Sequence, residues 1–159
     1  MYYESKSFYD RRKELKEAIR QLVHSTHPKV FATAVINDFS SPERARNLIK
    51  RFHKNVDYTF YGKNFYRVSK SKRTFFFAFP EKLNSNFHYH LLLTPPIGKT
   101  EHFIEIANPI WKKLCPAGNI KIDLINTEED LRKVSFYTTK DCFIEQNFEN
   151  FIISTEFCS

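Results

Sequence analysis

The sequence predicts an α+β fold, in which one antiparallel sheet is covered by helices. Segments with apolar residues at helical spacing alternate with short runs of β-branched and aromatic residues. Their order is helix, strand, helix, strand, strand, helix, strand, helix. Two β-α-β units around a central hairpin give a ferredoxin-like (RRM-like) sheet, to which this chain adds an extra N-terminal helix.

The helices are predicted from apolar periodicity and from capping residues. The first runs from about Ser7 to Val23, and the second starts at Ser41-Pro42-Glu43, a cap followed by proline at the first helical position. A third surrounds Phe103 to Ile110, where Pro109 is expected to kink or split it. The last begins at Asn126-Thr127-Glu128-Glu129 and runs to about Lys140.

Four strands are predicted between these helices, at residues 30–36, 73–79, 87–94 and 120–125. Polar residues at 37, 38, 40 and 41 indicate a turn after the first strand, and residues 81–86 indicate a hairpin loop between the second and the third. Pro95-Pro96 ends the third strand, because proline cannot donate to a strand ladder.

One domain of 159 residues is the simplest organisation, since no repeat or Gly/Ser linker occurs. It would comprise a core at about 30–140, an N-terminal helix at about 7–25, and a C-terminal arm at about 142–159 that is either a strand or loose. Cys115, Cys142 and Cys158 are odd in number and lack metal-ligand spacing, so neither a disulfide framework nor a cysteine zinc site is indicated.

The net charge of +7 favours a polyanionic partner, and the aromatic content of 16% suits stacking on unpaired bases. No apolar run reaches the ~20 residues that span a bilayer, so no membrane partner is expected. Residues 1–6 lack the apolar core of a signal peptide. A cytoplasmic location is therefore expected, or a nuclear one in a eukaryotic host.

The stretch Phe87-His88-Tyr89-His90 carries a candidate metal site. Side chains alternate faces along a strand, so His88 and His90 share one face, about 7 Å apart. Glu81, across the predicted hairpin, is the nearest carboxylate that would complete a three-ligand set with open positions. Short His-x-His patterns also occur by chance or as structural pairs, and this alternative stays open.

The last predicted helix carries a candidate nucleophile, Tyr137, and Lys140 three residues later on the same face. A tyrosine hydroxyl is a weak nucleophile at its usual pKa of ~10. A metal-polarised phosphate and a nearby ammonium would make its attack feasible. The alternative is a half-buried tyrosine beside a solvated lysine at a helix end.

Residues 58–73 interleave aromatic and basic side chains. Bases stack on aromatic rings while cations follow phosphates, so this stretch is a candidate nucleic-acid interface. A β-hairpin with one core face and one charged face explains the pattern equally well. The candidate contacts are Lys63, Arg67, Lys70, Lys72 and Arg73.

The order of these motifs resembles that of the HUH endonucleases, and among them the single-tyrosine replication initiators of rolling-circle plasmids, phages and small DNA viruses. His88-Tyr89-His90 resembles the family's His-hydrophobic-His motif and Tyr137-Thr138-Thr139-Lys140 its Y-x-x-K motif. The strand at 31–36 resembles the aromatic-led first motif loosely. Two features depart from the family pattern. Tyr89 stands between the two histidines, and an extra helix precedes the first strand.

The resemblance implies metal-dependent nicking and rejoining of single-stranded DNA or an origin hairpin through a 5′-phosphotyrosine. Glu81 would complete the metal site, with Mn²⁺ or Mg²⁺ as the cofactor, in a protein that is a monomer or, alternatively, a dimer. A single-tyrosine transposase of the same superfamily is an alternative, although those enzymes favour an amide where this chain has Lys140. A non-catalytic module that binds single strands is the second alternative.

Overall fold

The computed structural model describes residues 7–38, 41–141 and 145–158, with the side chains of residues 145 and 146 left aside. Five strands form one antiparallel sheet in the order β4-β1-β3-β2-β5, and the predicted α+β class is confirmed. The strands are β1 (Val30–Val35), β2 (Phe75–Glu81), β3 (His88–Thr94), β4 (Asn119–Leu124) and β5 (Ile152–Ile153). The helices are α1 (Phe8–Ser25), α2 (Pro42–Tyr61), α3 (Thr100–Leu114), α4 (Glu128–Thr139) and α5 (Glu145–Glu149).

The alternation of side chains along β3 assigns a different role to each face of the sheet. Tyr89, Leu91 and Leu93 are buried in the larger core, beneath α2 and α3. Leu92 points to the opposite face, where Phe77 and Phe79 pack with residues of α1 and α4. His88 and His90 alternate in step with Leu92, so both imidazoles lie on the face that α1 and α4 cover.

The predicted helix starts are present with the expected caps. The Ser41 side chain accepts a hydrogen bond from the backbone N–H of Arg44 at 3.2 Å, and Pro42 occupies the first turn. At α4, Thr127 and Asp130 exchange side-chain-to-backbone hydrogen bonds of 3.0 Å, which completes a capping box. These caps fix where α4 begins and thereby which of its residues face the sheet.

Several expected boundaries were wrong in informative ways. The third helix is not split at Pro109, because a continuous apolar face of Phe103, Ala107 and Trp111 anchors both halves. The second strand begins at Phe75 rather than 73, since the two residues before it bond to a buried carboxylate of α2. The expected turn at position 40 and Cys142 lie outside the described residues.

The C-terminal arm contributes a strand, as one of the two expectations for it allowed. Ile152 and Ile153 pair with Ala78 and Phe77 at the outer edge of β2. A 3₁₀ turn, Ser154–Phe157, follows. Of the helices in the described ranges, none combines the length and apolar character that crossing a bilayer requires.

Gly118 sits where the chain passes from α3 into β4, and we expect Gly118→Ala to destabilise the protein. A Cβ atom there would lie 2.2 Å from the carbonyl oxygen of Val35 and 2.8 Å from the sulfur of Cys115. Relieving this overlap should lower the free energy of unfolding by about 2 kcal/mol. Urea denaturation measures the change, with the exposed neighbour substitution Ala117→Ser as control. Equal midpoints for the two variants would contradict the expectation.

Candidate metal and tyrosine site

Three potential metal ligands converge where β2 and β3 meet. Glu81 ends β2 and pairs in register with His88, the first residue of β3, while His90 follows two residues later on the same face. The Oε2 atom of Glu81 lies 2.6 Å from Nε2 of His90 and 3.1 Å from Nε2 of His88. The three ligand atoms all lie within 4.8 Å of one another, close enough to hold one ion.

The far side of each imidazole ring is held by a polar partner. His88 Nδ1 lies 2.8 Å from the carbonyl oxygen of Asn86, which can only accept, so this nitrogen carries a proton. His90 Nδ1 lies 3.1 Å from Oγ1 of Thr33, its neighbour on β1. Partners of this kind fix ring orientation and tautomer in metal sites, leaving Nε2 to face the ion.

The donor set itself fits a cation. A neutral His88 ring with its proton on Nδ1 presents a lone pair at Nε2 toward the Glu81 carboxylate, whereas a ring with protons on both nitrogens donates to it. Lone pairs facing each other repel unless a proton or a metal ion lies between them. Two imidazole nitrogens and one carboxylate oxygen are a mixed ligand set that divalent transition ions accept.

The charge states of these residues suit metal binding. Partial burial alone raises the pKa of Glu81, but hydrogen bonds with His90 and His88 outweigh it and hold the pKa below its usual value. Burial lowers the pKa of His90, against the opposing effect of its contact with Glu81. A carboxylate and a neutral imidazole are the forms that ligate metals, because both leave a lone pair available.

Tyr137 on α4 and Lys140, the residue that caps the end of this helix, reach the same place. They line a small cavity together with Pro80, Glu81, His90, Thr138 and Asp141. The Tyr137 ring lies 5.1 Å from the His90 ring in an edge-on arrangement, and 53% of the tyrosine surface stays exposed. The structure thus brings both residues of the Tyr-x-x-Lys stretch beside the cluster that Glu81, His88 and His90 form.

The environment of Tyr137 keeps its hydroxyl protonated. Burial raises the pKa of this phenol, and the nearby charges of Glu81 and Asp141 raise it further. A cation held by Glu81 would offset the repulsion from that carboxylate. The hydroxyl is therefore a poor nucleophile unless its surroundings carry added positive charge.

Three residues of this site escaped the sequence interpretation. Asp141 lines the cavity, Thr33 contacts His90, and the Phe31 ring stacks on the His90 ring with centroids 5.5 Å apart. Phe31 and Thr33 lie on β1, and their contact with His90 depends on the pairing of β1 with β3, which no local pattern specifies. Asp141 had a weak signal, since it directly follows Lys140.

The five candidate nucleic-acid contacts lie elsewhere, after α2, and none of them lines the Tyr137 cavity. Lys63 and Arg67 belong to a 3₁₀ turn, Gly62–Arg67. The β-hairpin that was the alternative interpretation of this stretch is therefore not formed. Lys70 and Lys72 lie in a second turn and are exposed. Arg73 differs: it is buried, and its Nε donates to Asp57 at 2.7 Å.

Comparison with known proteins adds no relative to this description. No family model, curated protein or solved structure matches the chain.

Proposed function

We propose that the protein is a metal-dependent endonuclease of the HUH type, which cuts single-stranded DNA with Tyr137. The observation that carries the proposal is the shared cavity of Glu81, His90, Tyr137 and Lys140. A tyrosine hydroxyl, an ammonium group and a candidate metal cluster lie together although long stretches of sequence separate them. A module that only binds nucleic acid has no need of this arrangement.

Glu81, His88 and His90 would hold the ion, for which Mn²⁺ or Mg²⁺ is proposed. When bound, such an ion polarises the scissile phosphate and offsets its negative charge. The stacked Phe31 ring and the Thr33 hydroxyl keep His90 in the orientation that this requires. The His88 ring is held in its orientation by a hydrogen bond from Nδ1 to the backbone carbonyl of Asn86.

The bond changes follow from the residues around Tyr137. Its hydroxyl oxygen attacks the phosphorus atom, and its proton passes to Asp141, a carboxylate on the same cavity wall that takes no part in the metal cluster. The new bond joins tyrosine to the 5′ phosphate, while the bond to the 3′ oxygen breaks and that oxygen takes a proton from water to leave as a hydroxyl. Lys140 stabilises the charge that builds on the phosphate oxygens.

The phosphotyrosine ester retains the energy of the broken bond, so a free 3′-hydroxyl can attack it and rejoin the strands. Nicking followed by rejoining is the chemistry that starts and ends rolling-circle replication of a plasmid, phage or virus. That biological role is proposed here on the resemblance of His88-Tyr89-His90 and Tyr137–Lys140 to the replication initiators.

The direct test is a search for covalent protein–DNA adducts. The protein is incubated with a mixture of single-stranded oligonucleotides and Mn²⁺, and the products are separated on a denaturing gel. The proposal expects a slower protein band that carries DNA and does not form when EDTA replaces Mn²⁺ from the start of the incubation. Binding of the oligonucleotides without any adduct would instead favour the non-catalytic module.

Binding without chemistry gives a further prediction for the exposed cations after α2. Lys70→Ala with Lys72→Ala should weaken binding to single strands and reduce the salt slope by about one to two counterions. Arg73 stays unchanged, because its removal would leave the buried Asp57 without its ion-pair partner. Fluorescence anisotropy at several salt concentrations measures the slope. An unchanged slope would show that DNA binds to another part of the surface.

A further inference from the structure

A second cavity lies on the α2 side of the sheet, away from the metal cluster. Its volume is about 640 Å³, within the range of roughly 300–1,000 Å³ in which proteins hold small ligands. Arg73, on its wall, precedes β2, whereas Glu81 ends that strand. The length of β2 alone therefore separates the two places by about 20 Å.

The wall of this cavity carries only one sign of charge. Lys50, Arg51 and Lys54 project into it from α2, and Arg73 contributes a fourth cation. Among the described residues that line it, none is acidic. A concave surface lined by several cations attracts an anion, because low-dielectric walls concentrate their field.

A buried ion pair sets the orientation of Arg73. Asp57 is fully buried, accepts from Nε of Arg73 at 2.7 Å and accepts from the backbone N–H of Thr74 at 3.1 Å. Within the described part of the chain, no hydrogen bond engages the two terminal nitrogens of the guanidinium group. Arg73 is thus fixed at the cavity wall, with its two terminal nitrogens left to donate to a ligand.

This arrangement is hard to explain by stability alone. Removing Arg73 and Asp57 from water costs free energy that their attraction barely recovers, and apolar residues often serve as well in such positions. A guanidinium that is already held in one orientation does lose less side-chain entropy when an anion binds. The pair that holds the residues before β2 therefore also presents Arg73 to the cavity in one orientation.

Aromatic rings beside these cations offer a surface for a planar group. Phe65 lies beneath the guanidinium of Arg73, with 5.2 Å between the guanidinium carbon and the ring centroid. Tyr66 lies next to it, edge-on at 6.1 Å, and 60% of its surface is exposed. Unpaired bases stack on rings of this kind, whichever base they are.

We propose that this cavity binds one nucleotide, with its phosphate between Lys50, Lys54 and Arg73 and its base against Phe65 or Tyr66. The ligand is either a free mononucleotide or one unit of a single strand, since both present the same base and phosphate. The site uses no residue of the metal cluster or of the Tyr137 cavity, so it stands whether or not the protein cuts DNA.

The test is calorimetric titration of the intact protein in EDTA, which removes the metal site from the measurement. The probes are dAMP, a six-nucleotide oligo(dA), deoxyadenosine and inorganic phosphate. Lys50→Ala with Lys54→Ala removes two exposed cations of the cavity without disturbing the Asp57–Arg73 pair. The matched control is Lys113→Ala with Lys121→Ala, the same loss of charge on α3 and on β4 at the opposite edge of the sheet.

We expect dAMP or the oligonucleotide to bind to the wild-type protein, and the cavity variant to bind roughly tenfold more weakly, while the control stays unchanged. Binding of dAMP would identify a free nucleotide, and binding of the oligonucleotide alone would identify a strand. Equal affinities in the two variants, no binding of either nucleotide probe, or phosphate binding as tight as dAMP would each overturn the proposal.

Discussion

His88→Ala together with His90→Ala is expected to abolish both metal binding and strand cutting. The two imidazoles supply two of the three ligand atoms in the cluster, so a single carboxylate, Glu81, would remain. Without a held ion the phosphate loses its main electrostatic stabilisation, and the rate of cutting should fall about a thousandfold or more. Calorimetric titration with Mn²⁺ measures binding, and the denaturing gel measures cutting.

A control must separate this loss from a general effect of losing two imidazoles. His24→Ala with His102→Ala removes a pair that lies on α1 and α3, outside the cluster. This variant should bind Mn²⁺ and cut as the wild type does. Circular dichroism would verify that both variants keep the fold. Cutting retained by the His88, His90 variant would exclude the proposed site.

Tyr137→Phe is expected to remove the covalent adduct and leave the fold, metal binding and DNA binding intact. The substitution deletes only the hydroxyl oxygen, and the remaining ring still packs edge-on against His90. Thr138 is the other hydroxyl-bearing residue among the described residues that line the cavity, and its hydroxyl already donates to the carbonyl of Val134 at 2.8 Å. Lys140→Ala should slow adduct formation without eliminating it, because this lysine stabilises charge but forms no bond.

The alternative nucleophile to exclude is another tyrosine. Tyr66→Phe is the matched control, since Tyr66 is also exposed but lies after α2, and it should form adducts normally. Tyr89 stands between the two histidines in sequence, yet it is fully buried on the opposite face and donates to the carbonyl of Asn150. Peptide mapping that found DNA on Tyr89 or Tyr66 would contradict the assignment.

Much of the metal cluster could be predicted from sequence, because local rules determine it. Alternation along a strand places His88 and His90 on one face, and a short hairpin brings Glu81 opposite them. The position of Tyr137 beside His90 could not be derived in this way. It depends on how α4 packs over the sheet, which is the sum of many side-chain contacts. Only the resemblance in motif order pointed to it.

The stretch after α2 was interpreted less well, for a physical reason. A pattern of aromatic and basic residues is the same whether a cation is solvated or buried. Arg73 is buried because Asp57, which lies on α2 sixteen positions earlier in the sequence, supplies its counter-ion. Nothing local to Arg73 indicates that pairing, so the sequence could not show that Arg73 is a buried side chain held in one orientation rather than an exposed one.

The placement of the ligands on a core strand also protects the site against folding errors. A shift of β3 by one residue would turn His88 and His90 into the apolar core beneath α2 and α3, and would bring Leu91 and Leu93 out to the other face. Such a molecule would lose core packing and leave imidazoles among apolar side chains, so it would not persist. Chains that complete folding are therefore those in which the three ligand atoms already face one another.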